Sequence, residues 1–184
     1  MLAVAKTWTE EELLALPKDN GKYELVDGEL VRMAPSGYEH SDVCIELGVR
    51  LRPFARTNKL GRVLEGQAGF WMKSGNLRAP DLSFVSKDRE RKLERLPTGF
   101  FNGAPDLAVE VLSPSDRMTD LMKRIVDYFE SGAKLAWVIN PKTKTVSIYR
   151  SPTAVRVLGE TDVLTGEDVV PGFTIRIREL FDLE

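Results

Sequence analysis

Residues 79–86 (APDLSFVS) and residues 104–112 (APDLAVEVL) decide how this chain is read. Both are short, rich in β-branched and aromatic residues, and bounded by proline, which marks strands. Each also carries carboxylates where a strand should be apolar. Asp81 opens the first run, and Glu110 sits between Val109 and Val111 in the second, too apolar a run to lie on a surface. A buried charge is costly unless something pairs with it. Carboxylates that converge from neighbouring strands suit a magnesium ion, which prefers oxygen ligands. The plainer reading is a strand-end carboxylate turned to solvent or paired with an arginine. Asp106 and Glu110 resemble a compact acidic pair, but four residues along a strand span about 13 Å, so one ion cannot hold both. Asp106 reads as a strand-start residue after Pro105. Asp81, from another strand, can lie beside Glu110 if the two strands are neighbours.

The whole chain narrows the class further. Its 184 residues fit one domain spanning 1–184, with an ordinary 42% apolar and 29% charged content. A net charge of −2 excludes a surface that is basic throughout, while leaving room for a local basic groove beside an acidic site. Cys44 is the only cysteine, so no intramolecular disulfide and no cysteine-rich zinc site is expected. No apolar run approaches membrane-spanning length, and Lys6 to Glu12 interrupts the amino terminus before it could form a leader. The expected location is therefore the cytoplasm, away from membranes.

Hydrophobic periodicity gives an α+β pattern, a mixed β-sheet flanked by helices. Thr9 and Glu12 form a capping-box pattern that opens a helix from Glu10 towards Pro17. Residues 22–33 read as a hairpin turning at Asp27-Gly28, with Glu24 opposite Val31 and Leu25 opposite Leu30. Ser36 and Glu39 suggest a second capping box, opening a helix with the stripe Val43, Leu47, Leu51 and Phe54 that Pro53 should kink or end. Strands are expected near 62–73, 81–86 and 106–112. A helix follows over about 115–131, stopped by Gly132, with Met118, Leu121, Met122, Ile125, Val126 and Phe129 inward and Lys123 outside that stripe beside Asp127. Residues 135–140 and 144–150 read as a strand pair, and strands near 154–158 and 173–177 close the domain.

An ordered set of residues then resembles a known family. Tyr23, Glu24, Asp27-Gly28-Glu29, Met33, Pro35, His40, Pro80-Asp81, Glu110-Val111-Leu112-Ser113-Pro114-Ser115, Asp120, Lys123, Tyr128, Gly132, Trp137 and Pro141 are similar to the pattern of the Uma-two family. This family belongs to the PD-(D/E)XK nuclease superfamily. The resemblance covers nearly the whole chain and implies a restriction-endonuclease-like fold. It implies a Mg2+-dependent endonuclease, with Mn2+ as a substitute, acting on DNA as a homodimer. It also implies that Asp81, Glu110 and the Val111 carbonyl hold the ion.

The superfamily's usual lysine, two residues after the glutamate, is Leu112 here. Lys123 is the expected substitute. The strand advances about 10 Å from Glu110 to Ser113, and a helix running back rises about 12–15 Å by Lys123, so the two side chains can be level. The competing reading pairs Lys123 with Asp127 at helical spacing. His40, the single histidine, lies in line with Val43 and Leu47. It is read either as a hydrogen-bonded core residue or as a site residue contacting phosphate or orienting a ligand. Glu24 is either an exposed hairpin residue or a support for the metal site. Residues 87–95 (KDRERKLER) hold five basic and three acidic residues, a pattern of a solvated helix or a phosphate-contacting flap. In the following turn, Phe100 and Phe101 either cap the core or stack on a base. Two other functions stay open: a noncatalytic descendant that binds nucleic acid or a protein partner, and a metal hydrolase of a small phosphorylated substrate.

Overall fold

The computed structural model describes residues 7–17 and 21–182, so the reading of the first six residues lies outside the described ones. Helix α1 (Glu10–Leu14) precedes β1 (Lys22–Val26), β2 (Glu29–Met33) and the long helix α2 (Tyr38–Thr57). Then come β3 (Gly61–Glu65), β4 (Phe70–Trp71), β5 (Leu77–Arg78), β6 (Leu82–Ser86), α3 (Lys87–Glu90) and β7 (Phe101–Asn102). The second half runs through β8 (Leu107–Val111), α4 (Met118–Glu130), β9 (Leu135–Asn140), β10 (Thr145–Tyr149), β11 (Val155–Leu158), β12 (Val163–Thr165) and β13 (Thr174–Arg176).

The main sheet has the order β11-β10-β9-β8-β6-β3. Its pairs are antiparallel except β8 with β9, which run parallel and are joined by α4. A parallel pair needs such a crossover, because a tight turn cannot return the chain to the same end. Alternation along the strands fills both faces. Leu107, Val109 and Val111 join Val43, Leu47 and Leu51 of α2 in one cluster. Ala108 and Val138 join Leu121, Ile125 and Tyr128 of α4 in the other. A strand covered on both faces reads as a continuous apolar run, which is why residues 104–112 carry no surface pattern. The second sheet, β2-β1-β5-β4-β7, is built mostly from strands that precede β6 and brings the hairpin to the Pro80-Asp81 corner through Leu25 opposite Leu77.

The Thr9/Glu12 capping box forms, and the hairpin register matches the sequence reading, with Asp27 and Gly28 both at positive φ (52° and 83°) as this tight turn requires. Other details differ. Ser36 does not cap α2; Gly37 occupies that position without a side-chain bond. Pro53 does not end α2, because it lies on the exposed side, where water can satisfy the carbonyl freed by its missing N–H. The run 62–73 splits into β3 and β4 at the Glu65–Gly69 turn, closed by the Ala68 N–H on the Glu65 carbonyl. Helix α4 starts at Met118 because Asp116 accepts the Ser113 N–H at 2.7 Å and holds a turn there, which leaves Met118 61% exposed. In residues 87–95 only Lys87–Glu90 is helical. Phe100 packs edge-on against Trp71 and Phe101 against Phe70, so both cap the core.

Candidate active site

Leu82 lies opposite Val109, so the next step of the antiparallel register sets Asp81, at the bend entering β6, level with Glu110. Asp81 is held from three sides. Its Oδ2 accepts the Val111 N–H at 2.9 Å and lies 3.1 Å from His40 Nε2, and its Oδ1 lies 3.4 Å from Lys22 Nζ. Glu110 points to the α4 face. Arg124 donates to its Oε2 at 3.0 Å, and the Tyr128 hydroxyl donates to its Oε1. The two carboxylates are therefore neighbours with different partners, and the arginine-paired reading of Glu110 is the one the geometry displays.

A second layer fixes these partners. Glu24 is 1% exposed; it accepts the Ala79 N–H at 3.1 Å and pairs with Arg78 at 3.1 Å, with Arg124 at 3.6 Å. Arg78 also donates to Asp127 at 2.8 Å, and Asp127 accepts from Ser74 and Asn76. Glu24 is thus neither an exposed hairpin residue nor free to move. Asp127, read from the sequence as a surface partner for Lys123, is turned into the protein because Arg78 and the Ser74–Asn76 loop need its charge there. Asp106 is fully buried: it accepts the Ser86 N–H at 2.8 Å and pairs with Lys134 at 3.0 Å, which makes it a strand-start anchor remote from Asp81.

Protonation follows from these contacts. Burial pushes the Asp81 carboxyl up, but the His40 hydrogen bond, the charges of Lys22 and His40 and the Val111 N–H together hold it below the usual range. The hydrogen bond to Asp81 raises His40 against the effect of burial, favouring imidazolium. Burial drives Glu110 up to about 7, opposed by Arg124 and reinforced by Asp81. Tyr128 is raised far above its ordinary value, first by burial and then by Glu110, so it remains a proton donor. Burial works against the Arg124 charge, yet Glu110 and Glu24 hold it protonated. Cys44 is pushed up to about 12 by burial, and its Sγ lies 3.6 Å from His40 Nδ1.

Two clefts meet this array. One, about 730 Å³, is lined by Lys22, His40, Cys44, Glu65 and Asp81. The other, about 350 Å³, is lined by Glu24, Glu110, Lys123 and Arg124. Lys123 is exposed at the second cleft, whereas Arg124, one residue on, reaches Glu110. Val111 supplies its N–H to Asp81, and Leu112 packs at the edge of the α4-side cluster. The segment 87–95 follows Ser86, five residues along β6 from Asp81 or roughly 16 Å away, so it is not beside the carboxylates. Its Arg89 turns inward over the Phe101 ring, 5.1 Å from the centroid.

The sequence reading missed Arg124, Tyr128, Arg78, Lys22 and Cys44. A signal existed for two of them. Leu121, Arg124, Ile125 and Tyr128 share one face of α4, and an arginine inside an apolar stripe announces a buried acid opposite. Lys22 alternates with Glu24 along β1, so both address the same side.

The fold and the acid-bearing strands define a restriction-endonuclease-like protein of the α+β class. Its structure is similar to that of "a putative nuclease belonging to DUF820 from Anabaena variabilis ATCC 29413", with 22% identity, 95% of this chain and 97% of that chain covered, and a TM-score of 0.82. The Uma2 family, described as "putative restriction endonuclease", matches residues 10–178, and the chain belongs to it. Among curated proteins none matches. No described helix is long and apolar enough to cross a membrane.

Proposed function

We propose that this protein is a divalent-metal-dependent endonuclease that hydrolyses phosphodiester bonds in DNA, with Asp81 and Glu110 as its metal-binding carboxylates. The observation that carries the reading is their register on β6 and β8, level with each other at the mouth of two clefts. The donor chemistry fits a hard cation: carboxylate oxygens, with the Val111 carbonyl on the same strand. Lys22 and Arg124 already supply counter-charge to Asp81 and Glu110, a sign of how much negative charge gathers here. A bound Mg2+ or Mn2+ would supply Lewis-acid polarisation of a phosphoryl oxygen and a more acidic water.

The chain's own residues do the rest. Tyr128 and Arg124 orient Glu110, and Glu24 keeps Arg124 in place. His40, as imidazolium, orients Asp81 and presents positive charge to a phosphate in the larger cleft. Lys123 stands at the mouth of the smaller cleft, where its ammonium can meet charge developing on phosphorus oxygens, the role Leu112 cannot fill. Two copies related by a two-fold axis would suit the two strands of a duplex. A second reading, a noncatalytic DNA-binding descendant, is favoured by one observation: Glu110 is already satisfied by Arg124 and Tyr128.

Cleavage of supercoiled plasmid and branched DNA with Mg2+ or Mn2+ separates the two. The endonuclease reading expects nicking by the wild type and none by Asp81→Asn, with Lys123→Ala losing turnover but keeping Mn2+ affinity. Wild-type activity no greater than that of Asp81→Asn supports the noncatalytic reading.

A further inference from the structure

The nuclease reading uses Asp81 and His40 but gives Cys44 no task. His40 and Cys44 are one turn apart on α2, at the i,i+4 spacing that puts two ligands on one helix face. His40 Nδ1 and Cys44 Sγ are 3.6 Å apart, and His40 Nε2 is 3.1 Å from Asp81 Oδ2. One ligand atom from each of the three residues lies within 4.8 Å of the others. Around a tetrahedral zinc ion, with bonds of about 2.0–2.1 Å to nitrogen and about 2.3 Å to sulfur, the N···S separation is about 3.6 Å. His40 Nδ1 and Cys44 Sγ stand at that spacing. One ion takes one nitrogen of an imidazole, and Nε2 is the one that meets Asp81, so the His40 ring turns for the three ligands to share an ion. The carboxylate arrives from β6, fixed by the Val111 N–H.

The donor set sorts metals. Imidazole and thiolate suit Zn2+ and Co2+ and offer nothing to Mg2+, which takes oxygen. Three protein ligands facing a cleft leave a fourth position open, as in zinc sites that keep a water. We propose that His40, Cys44 and Asp81 form a binding site for a thiophilic divalent ion of the Zn2+ and Co2+ class, and that its occupancy withdraws Asp81 from the hard-ion site it shares with Glu110. The ion takes the place of the proton that His40 shares with Asp81, and that imidazolium proton and the Cys44 thiol proton both leave to solvent as nitrogen and sulfur become ligands. The site stands on its own geometry; the competition rests on the nuclease reading.

The test uses full-length, chelator-treated protein titrated with Co2+. The wild type should develop a thiolate-to-cobalt charge-transfer band in the near ultraviolet. Cys44→Ser should lose that band and bind Zn2+ roughly tenfold or more weakly. Wild-type protein without the band, or Cys44→Ser with unchanged Zn2+ affinity, overturns the site. A measurement on wild type alone guards against a variant that fails to fold: Zn2+ should slow alkylation of Cys44 and Mg2+ should not, and equal rates with both ions also overturn it. For the competition, Zn2+ should inhibit Mg2+-dependent cleavage by wild type more than by Cys44→Ser, each relative to its own rate with Mg2+ alone; equal inhibition overturns it. If no cleavage is seen at all, the nuclease reading and with it the competition fail, and the cobalt spectrum still decides the site.

Discussion

Replacing Arg124 by methionine should destabilise the protein in a way that depends on pH above neutrality. The guanidinium is the cationic partner of Glu110 at 3.0 Å and is mostly buried. Breaking a buried pair by removing one partner costs about 3–5 kcal/mol when the other charge remains. Glu110 can escape part of that cost by protonating, since burial already drives its pKa to about 7 from 4.5. A carboxyl raised in the folded state leaves stability intact below its unfolded pKa and loses it as pH climbs to the folded value. Wild type therefore stops losing stability at Glu110 near pH 7, whereas Arg124→Met, with a still higher folded pKa, continues to lose it. The two curves run parallel to about pH 7 and then diverge by up to about 1.4 kcal/mol per pH unit, or about 2–3 kcal/mol by pH 9. Urea unfolding at pH 6 and pH 9 measures this, and adding Glu110→Gln should abolish the divergence. Equal destabilisation at both pH values would show that Glu110 is not the charge Arg124 balances.

Two further outcomes follow from the site. Mn2+ affinity should climb roughly tenfold per pH unit towards pH 7 and level off above it, because Glu110 must ionise to bind; a flat calorimetric profile between pH 5.5 and pH 8 contradicts this. Reversing the charges of Arg91 and Lys92 should leave DNA affinity and its salt dependence nearly unchanged, because residues 87–95 leave β6 at the end away from Asp81; a shallower salt slope in fluorescence anisotropy would return the segment to the interface.

What could be read from the residues alone was the part governed by local rules. Alternation and turn chemistry gave the β1–β2 register to the residue pair, and the apolar runs around Asp81 and Glu110 gave two strands, whose pairing as neighbours was a condition that the sheet meets. What stayed hidden depended on which long side chain wins a given charge. Lys123 and Arg124 are adjacent on α4; the apolar face places Arg124 inward, and packing against the sheet shows which acid it meets while Lys123 stays at the cleft. The role of Asp127 was misjudged for the same reason: Arg78, distant in sequence, draws it inside. Helix ends moved where a side chain competes with the backbone, as Asp116 does at the Ser113 turn. Cys44 carried no signal by itself; its i,i+4 spacing from His40 is legible in the sequence, and the distance between the two side chains gives that spacing its meaning.

The central claim is that Asp81 and Glu110 serve one ion, although each holds different partners in this structure. Calorimetric titration of Mn2+ into wild type, Asp81→Asn, Glu110→Gln and Asp106→Asn tests it most directly. Asp81→Asn and Glu110→Gln should each weaken binding roughly tenfold or more, and Asp106→Asn should leave it unchanged. Mn2+ binding by Glu110→Gln as tight as by wild type, with binding lost in Asp81→Asn, would contradict the claim and place the ion on the His40 side of Asp81.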